Sequence, residues 1–165
     1  MNRTEVTEKR VLVVDDDLEV AKLMARSLDL YGAAAQVTIA LSAEDARQKM
    51  LVEPFDLVIS DMHMGVLDGL TLLKEIGTLK PGIRLVLVTG DISPELAQRA
   101  GVHRCISKPC PAELLATTVR DLLSHPEGQA KVDVNGLVAA DSPPAPSGER
   151  SENEEHDSPA VTASD

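Results

Sequence analysis

Four apolar residues, Val11-Leu12-Val13-Val14, run straight into three acids, Asp15-Asp16-Asp17. A short apolar run that stops abruptly at polar residues reads as a fully buried parallel strand, and open α/β sheets place their chemistry at the carboxyl ends of such strands. Three adjacent carboxylates there repel one another, so they require a cation or take up protons. Two readings follow from this stretch alone. The acids bind a metal ion, or Asp16 or Asp17 caps a helix beginning near Leu18 and stabilises it by roughly 1 kcal/mol.

The pattern of an apolar run with a polar terminus recurs. Phe55-Asp56-Leu57-Val58-Ile59-Ser60 ends in Asp61, Arg84-Leu85-Val86-Leu87-Val88 ends in Thr89-Gly90, and Val102 to Ser107 ends in Lys108-Pro109. A hydrolase triad needs a histidine beside a serine or cysteine nucleophile, and no strand end supplies that pair. A structural zinc site would want cysteine and histidine. All-oxygen ligands favour a hard divalent ion, and Mg2+ uses one or two carboxylates together with phosphate oxygens. With the acids neutralised, one aspartate can attack a phosphoryl group and form an acyl phosphate. The incoming group adds negative charge, so a cation and hydrogen-bond donors must already be in place. Lys108 would give the charge and Thr89 the hydroxyl.

These residues need elements to bring them together. The first strand, about residues 10 to 14, leads into a helix from about Leu18 to Leu30, with Leu18, Ala21, Ala25 and Leu28 on one face and Gly32 as the stop. A weaker strand, Ala34 to Ile39, precedes a helix capped by Ser42, with Ala43, Ala46 and Met50 inward and Pro54 past its end. After Asp61 comes a loop, Met62 to Leu67. Asp68-Gly69 then opens a helix with Leu70, Leu73 and Ile76 inward, closed by Gly77 and the Lys80-Pro81-Gly82 turn. Ser93-Pro94-Glu95 starts a brief helix that Gly101 ends. The last strand, interrupted by His103 and Arg104, is an edge candidate. A helix from Pro111 follows, with Leu114/Leu115, Thr118/Val119 and Leu122/Leu123 at a four-residue stride. Five strands alternating with five helices predict an α/β fold, a doubly wound five-stranded parallel sheet covered on both faces. Asp15, Asp16, Asp61, Thr89 and Lys108 then share one rim.

The 165-residue chain carries a net charge of −11. Residues 125 to 165 hold nine acids and two bases, a net of −7, which leaves −4 for the rest. That balance argues against direct nucleic-acid binding, as do only two aromatic residues, Tyr31 and Phe55. No run approaches the ~18 apolar residues of a membrane span, and the polar start is no signal peptide, so a cytoplasmic protein without membrane association is expected. The expected organisation is a polar arm (1–9), one domain (10–125) and a disordered acidic tail (126–165) rich in proline, serine and glutamate. Within the tail, Val132, Val134, Leu137 and Val138 form either a docking motif or its least polar part. Cys105 and Cys110 lack metal-finger spacing and read as buried small residues, although Cys110 between two prolines at a helix start could also have a lowered thiol pKa. His103, His125 and His156 are scattered and read as inert.

The motifs Val14-Asp15-Asp16, Ile59-Ser60-Asp61, Met64 to Asp68-Gly69, Val88-Thr89-Gly90 and Ser107-Lys108-Pro109, in this order and each tied to a predicted strand end, resemble the receiver domains of bacterial two-component response regulators. The resemblance covers residues 10 to about 124. It implies the flavodoxin-like strand order 2-1-3-4-5 and Asp61 as phosphoacceptor, fed by a sensor histidine kinase or a histidine phosphotransfer protein. It implies Mg2+ held directly by Asp16 and Asp61, by Asp15 through water, and by the backbone carbonyl of His63. Thr89 and Lys108 would hold the phosphoryl oxygens, and the Lys108-Pro109 bond would be cis. Family members commonly carry an aromatic switch residue where this chain has Cys105, which is too small for that role. Gly65 stands where proline is usual, which should loosen the loop. Thr89 and Lys108 are 19 positions apart, a short spacing that resembles receivers attached to hybrid kinases.

His63 and Asp91 lie two residues beyond Asp61 and Thr89, and either tune attack by water or are solvated loop residues. The expected function is a stand-alone phospho-switch that signals to an unknown downstream protein through protein contacts, or a relay or phosphate sink without its own output. It is not expected to be an enzyme beyond self-catalysed phosphotransfer and dephosphorylation. The enzymatic alternative is a Mg2+-dependent phosphatase of the haloacid-dehalogenase type, with Asp15 as nucleophile and Asp17 as acid/base. That reading leaves Asp61 and Lys108-Pro109 unexplained.

Overall fold

The computed structural model describes residues 8–33, 35–90 and 101–125. Its strands are β1 (Lys9–Val14), β2 (Ala35–Ala40), β3 (Leu57–Asp61), β4 (Arg84–Thr89) and β5 (Arg104–Ser107). Its helices are α1 (Leu18–Leu30), α2 (Ala43–Val52), α3 (Gly69–Leu79) and α4 (Ala112–Ser124). The helix expected from Ser93, Asp91, the 126–165 tail and nearly all of the N-terminal arm lie outside the described residues.

The strands form one parallel sheet in the order β2-β1-β3-β4-β5. The middle strands are continuous apolar runs because both sheet faces are covered. Alternate residues serve opposite faces. Leu12, Val14, Val58, Leu85 and Leu87 pack with Ala43, Ala46 and Met50 of α2 and with Leu72, Leu73 and Ile76 of α3. Val11, Val13, Leu57, Ile59, Val86 and Val88 pack with Ala21, Met24 and Leu28 of α1 and Leu115, Ala116, Val119 and Leu122 of α4. Each fully buried aliphatic side chain contributes on the order of 2 kcal/mol of apolar burial, which makes the strand ends a stiff mounting for the rim.

Local chemistry sets the helix ends. Asp17, Ser42 and Asp68 are the N-caps of α1, α2 and α3, each accepting from backbone N–H groups of the first turn. Gly32, at φ +68°, ends α1, with the Ala33 N–H on Leu28 O and the Gly32 N–H on Asp29 O.

Three expectations change. The buried face of α1 is Ala21, Met24, Ser27 and Leu28, while Leu18 is exposed at the first turn. Helix α3 runs through Gly77 to Leu79, because Gly77 sits where a Cβ would meet Leu85 Cδ1 at 3.1 Å and so serves close packing instead of termination. The inward positions of α3 are Leu72, Leu73 and Ile76, with Leu70 only partly buried. Strand β5 is an edge, as its polar interruptions indicate.

Candidate functional site

The three consecutive acids divide their work. The Asp17 carboxylate accepts from the Glu19 N–H at 2.9 Å and the Val20 N–H at 3.2 Å, so it is the cap of α1. Asp15 is buried directly beyond β1; its N–H donates to Ala40 O and its Oδ1 accepts from the Asp17 N–H at 2.9 Å. Asp16, between them, is exposed. The cap is therefore Asp17, and the carboxylates of Asp15 and Asp16 are not used in capping α1. A phosphatase using Asp17 as acid/base would need a carboxylate that is already engaged.

Strand β3 delivers Asp61, 5 % exposed, and β5 leads to Lys108, whose N–H donates to Thr89 O at 2.9 Å. That contact ties the lysine backbone to the end of β4. Lys108 Nζ lies 2.9 Å from Asp61 Oδ1 and 3.5 Å from Asp15 Oδ2. Burial drives the Asp15 carboxyl above its ordinary pKa, against the Asp17 N–H and the Lys108 charge. Burial also pulls the Lys108 ammonium down. The hydrogen bond and charge of Asp61, with Asp15 behind it, outweigh burial and hold the lysine pKa above its ordinary value.

Thr89 is fully buried at the end of β4, and its hydroxyl donates to Met62 Sδ at 3.4 Å. The Lys108-Pro109 peptide is cis, as the resemblance implies. His63 is exposed in the loop after β3. Cys105 is 1 % exposed, on the core face shared with Leu87 and Val102, and burial pushes its thiol up to about 11. Cys110 is half-buried against the other face; burial pushes its thiol up to about 11 too, more than the Lys108 charge lowers it, so the lowered-pKa alternative does not hold.

The donor set fits a hard divalent ion. One oxygen from each of Asp15, Asp16 and Asp61 lies within 4.8 Å of the others. Among the described residues the buried Asp15 Oδ2 accepts no hydrogen bond, and it meets the Lys108 ammonium only at 3.5 Å while that ammonium hydrogen-bonds Asp61, so the anionic oxygen is incompletely compensated for its burial. Three carboxylates against one ammonium leave two negative charges, which one dication balances.

Two residues that hold the site were given no role in it from sequence, Gly69 marking only a helix start and the end of one family motif, and Met62 only a loop. Gly69 brings the first turn of α3 against β3; its N–H donates to Met62 O, and a Cβ there would stand 1.8 Å from Asp61 O. Met62 faces the Thr89 hydroxyl. The Asp-Gly pair at a helix start was a visible signal for the first. Nothing local marks the second.

A five-stranded parallel sheet of order 2-1-3-4-5, whose carboxyl rim gathers buried acids around a lysine, defines a receiver domain, and this chain belongs to the response regulator receiver domain family, whose model matches residues 11–120. Such domains are signalling modules of two-component systems, phosphorylated on an aspartate with phosphoryl groups from histidine kinases. The chain is 34% identical over 118 residues to the transcriptional regulatory protein ZraR of Salmonella typhimurium, covering 70% of this chain and 26% of that protein. It is 31% identical over 128 residues to the sensory/regulatory protein RpfC of Xanthomonas campestris, covering 73% and 17%. The chain thus matches a quarter or less, approximately, of these relatives' lengths. Among solved structures it resembles a CheY-like receiver from Methanospirillum hungatei (30% identity, TM-score 0.65, 72% of this chain and 96% of that one). It also resembles the receiver of an HD-domain-containing protein from Pseudomonas fluorescens (27%, 0.66, 74% and 99%). Among the described residues no helix is long and apolar enough to cross a membrane.

Proposed function

We propose that residues 10–125 act as a Mg2+-dependent phosphoacceptor switch with Asp61 as the acceptor. A carboxylate oxygen of Asp61 attacks the phosphorus of a phosphohistidine on a sensor kinase or a histidine phosphotransfer protein. A P–O bond forms as the P–N bond breaks, and the imidazole keeps the electron pair. The observation that carries this reading is the Lys108 ammonium on Asp61 Oδ1 at 2.9 Å, in a cluster where one oxygen from each of Asp15, Asp16 and Asp61 lies within 4.8 Å of the others. Asp15, Asp16 and Asp61, with the His63 carbonyl, would hold Mg2+, which supplies charge neutralisation when bound. Lys108 orients the carboxylate and meets the added negative charge, and Thr89 donates to a phosphoryl oxygen. His63 and Asp91 tune the approach of water that ends the signal.

Output passes through protein contacts in the cytoplasm. The net charge of −7 on residues 125–165 disfavours a grip on DNA by that segment, which serves as an acidic tail. The test is to incubate the protein with Mg2+ and a small phosphodonor and to map the acyl phosphate by mass spectrometry. Labelling is expected on Asp61 and is expected to vanish in Asp61→Asn. Labelling kept in Asp61→Asn and lost in Asp15→Asn would reassign the nucleophile.

A further inference from the structure

Met62 follows the proposed acceptor directly, and both polar groups of its backbone are already engaged. Its N–H donates to Val88 O at 3.1 Å and its carbonyl accepts the Gly69 N–H at 2.9 Å, so the backbone is pinned between β4 and α3. Any response at this position falls on the side chain. That side chain has three rotatable bonds and lies half-buried against the core face that also holds Leu72, Leu87 and Cys105. Its Sδ receives the hydroxyl of the fully buried Thr89 at 3.4 Å.

A thioether is a weak acceptor, while hydrogen bonds to ionised oxygens are roughly twice as strong as neutral ones. A phosphoryl oxygen arriving on Asp61 therefore outcompetes Met62 Sδ for the Thr89 hydroxyl. We propose that Met62 is a positioning residue that holds Thr89 in the unphosphorylated state, releases it when Asp61 is phosphorylated, and by its own repacking carries the change into the α2/α3 side of the core. The proposal rests on the phosphoacceptor reading above. The weakness of the sulfur contact is what the device uses: a stronger acceptor would keep the hydroxyl, and a purely apolar side chain would leave the two states less distinct.

The test uses the full chain with methionine methyl groups labelled with 13C, the Met62 resonance being assigned from Met62→Leu, and beryllofluoride with Mg2+ as the phosphoryl mimic. On binding, the Met62 methyl resonance is expected to shift, and Thr89→Val is expected to shift it in the unliganded protein. Met62→Leu, which removes the sulfur acceptor, should bind beryllofluoride about threefold more tightly, the size of one weak neutral hydrogen bond. Met62→Gln, whose amide oxygen is a better acceptor, should bind it more weakly. A Met62 resonance that stays put while beryllofluoride binds, or equal weakening in both variants, overturns the proposal and leaves the phosphoacceptor reading standing. Failure of the wild type to bind beryllofluoride or to form an acyl phosphate overturns both.

Discussion

Lys108 Nζ and Asp61 Oδ1 meet at 2.9 Å, although 47 positions separate them in the chain. The contact exists because β3 and β5 flank β4, and because the Lys108 N–H is anchored on Thr89 O at the end of that middle strand. One ammonium thus serves two buried carboxylates, with Asp15 Oδ2 at 3.5 Å.

Removing that ammonium separates chemistry from response. Lys108→Ala is expected to accept phosphoryl from a small donor at a rate within about tenfold of wild type, since the proposed ligand acids and the proposed nucleophile stay in place. The change in amide hydrogen exchange at β5 on phosphorylation should disappear. Normal exchange changes in the phosphorylated variant would deny Lys108 a transmitting role.

Asp15 is costly because, among the described residues, its buried Oδ2 accepts no hydrogen bond and it shares the Lys108 ammonium, 3.5 Å away, with Asp61. Asp15→Asn should stabilise the metal-free protein by about 1 kcal/mol at pH 7, because a desolvated charge is removed. Mg2+ should stabilise the wild type against heat and leave the variant unchanged. Equal Mg2+ stabilisation of both in a thermal melt would remove Asp15 from the ligand set.

Gly69 has no room for a side chain. In Gly69→Ala the new Cβ would stand 1.8 Å from Asp61 O and 2.5 Å from Ser60 Oγ, and the first of these is backbone that cannot turn aside. A loss of about 3 kcal/mol in urea unfolding is expected, with reduced phosphoryl uptake because the strand end bearing Asp61 must shift. A variant as stable as wild type would contradict this close approach.

Far from the rim, Asp56 fastens the start of β3 to β1. Its carboxylate accepts from the Arg10 N–H and from Lys9 Nζ, both at 2.9 Å. Burial opposes its ionisation, but these donors outweigh burial and hold its pKa below the ordinary 3.8. A carboxyl depressed in the folded state contributes stability that is present above the unfolded pKa and is lost as pH falls through the folded one. Because the pair is over a third exposed, Asp56→Asn should cost only about 1 kcal/mol at pH 7. The difference from wild type should fade as pH falls below 3.8, as read by urea unfolding followed by circular dichroism. A constant difference down to pH 2 would mean that the charge does not matter.

Much of this molecule was legible in its residues alone, because the controlling physics is local. Apolar runs ending in polar residues announced the buried strands. Ser42 and Asp68 announced helix starts, since a side-chain oxygen must meet first-turn N–H groups wherever the chain later packs. Gly32 announced a stop because its positive φ favours glycine.

What only the tertiary structure decided are relations between distant segments. The inner face of α1 was among them, because which residues point inward depends on how the helix crosses the sheet; Met24 and Ser27 entered and Leu18 did not. The division of Asp15, Asp16 and Asp17 was another. Their types allow either a cap or an ion site, and the folded chain puts Asp17 at the N-terminus of α1 while Asp15 lies buried beside Lys108. The Met62 to Thr89 contact was a third. It arises from the register of β3 on β4, a spatial neighbourhood that no spacing along the chain encodes.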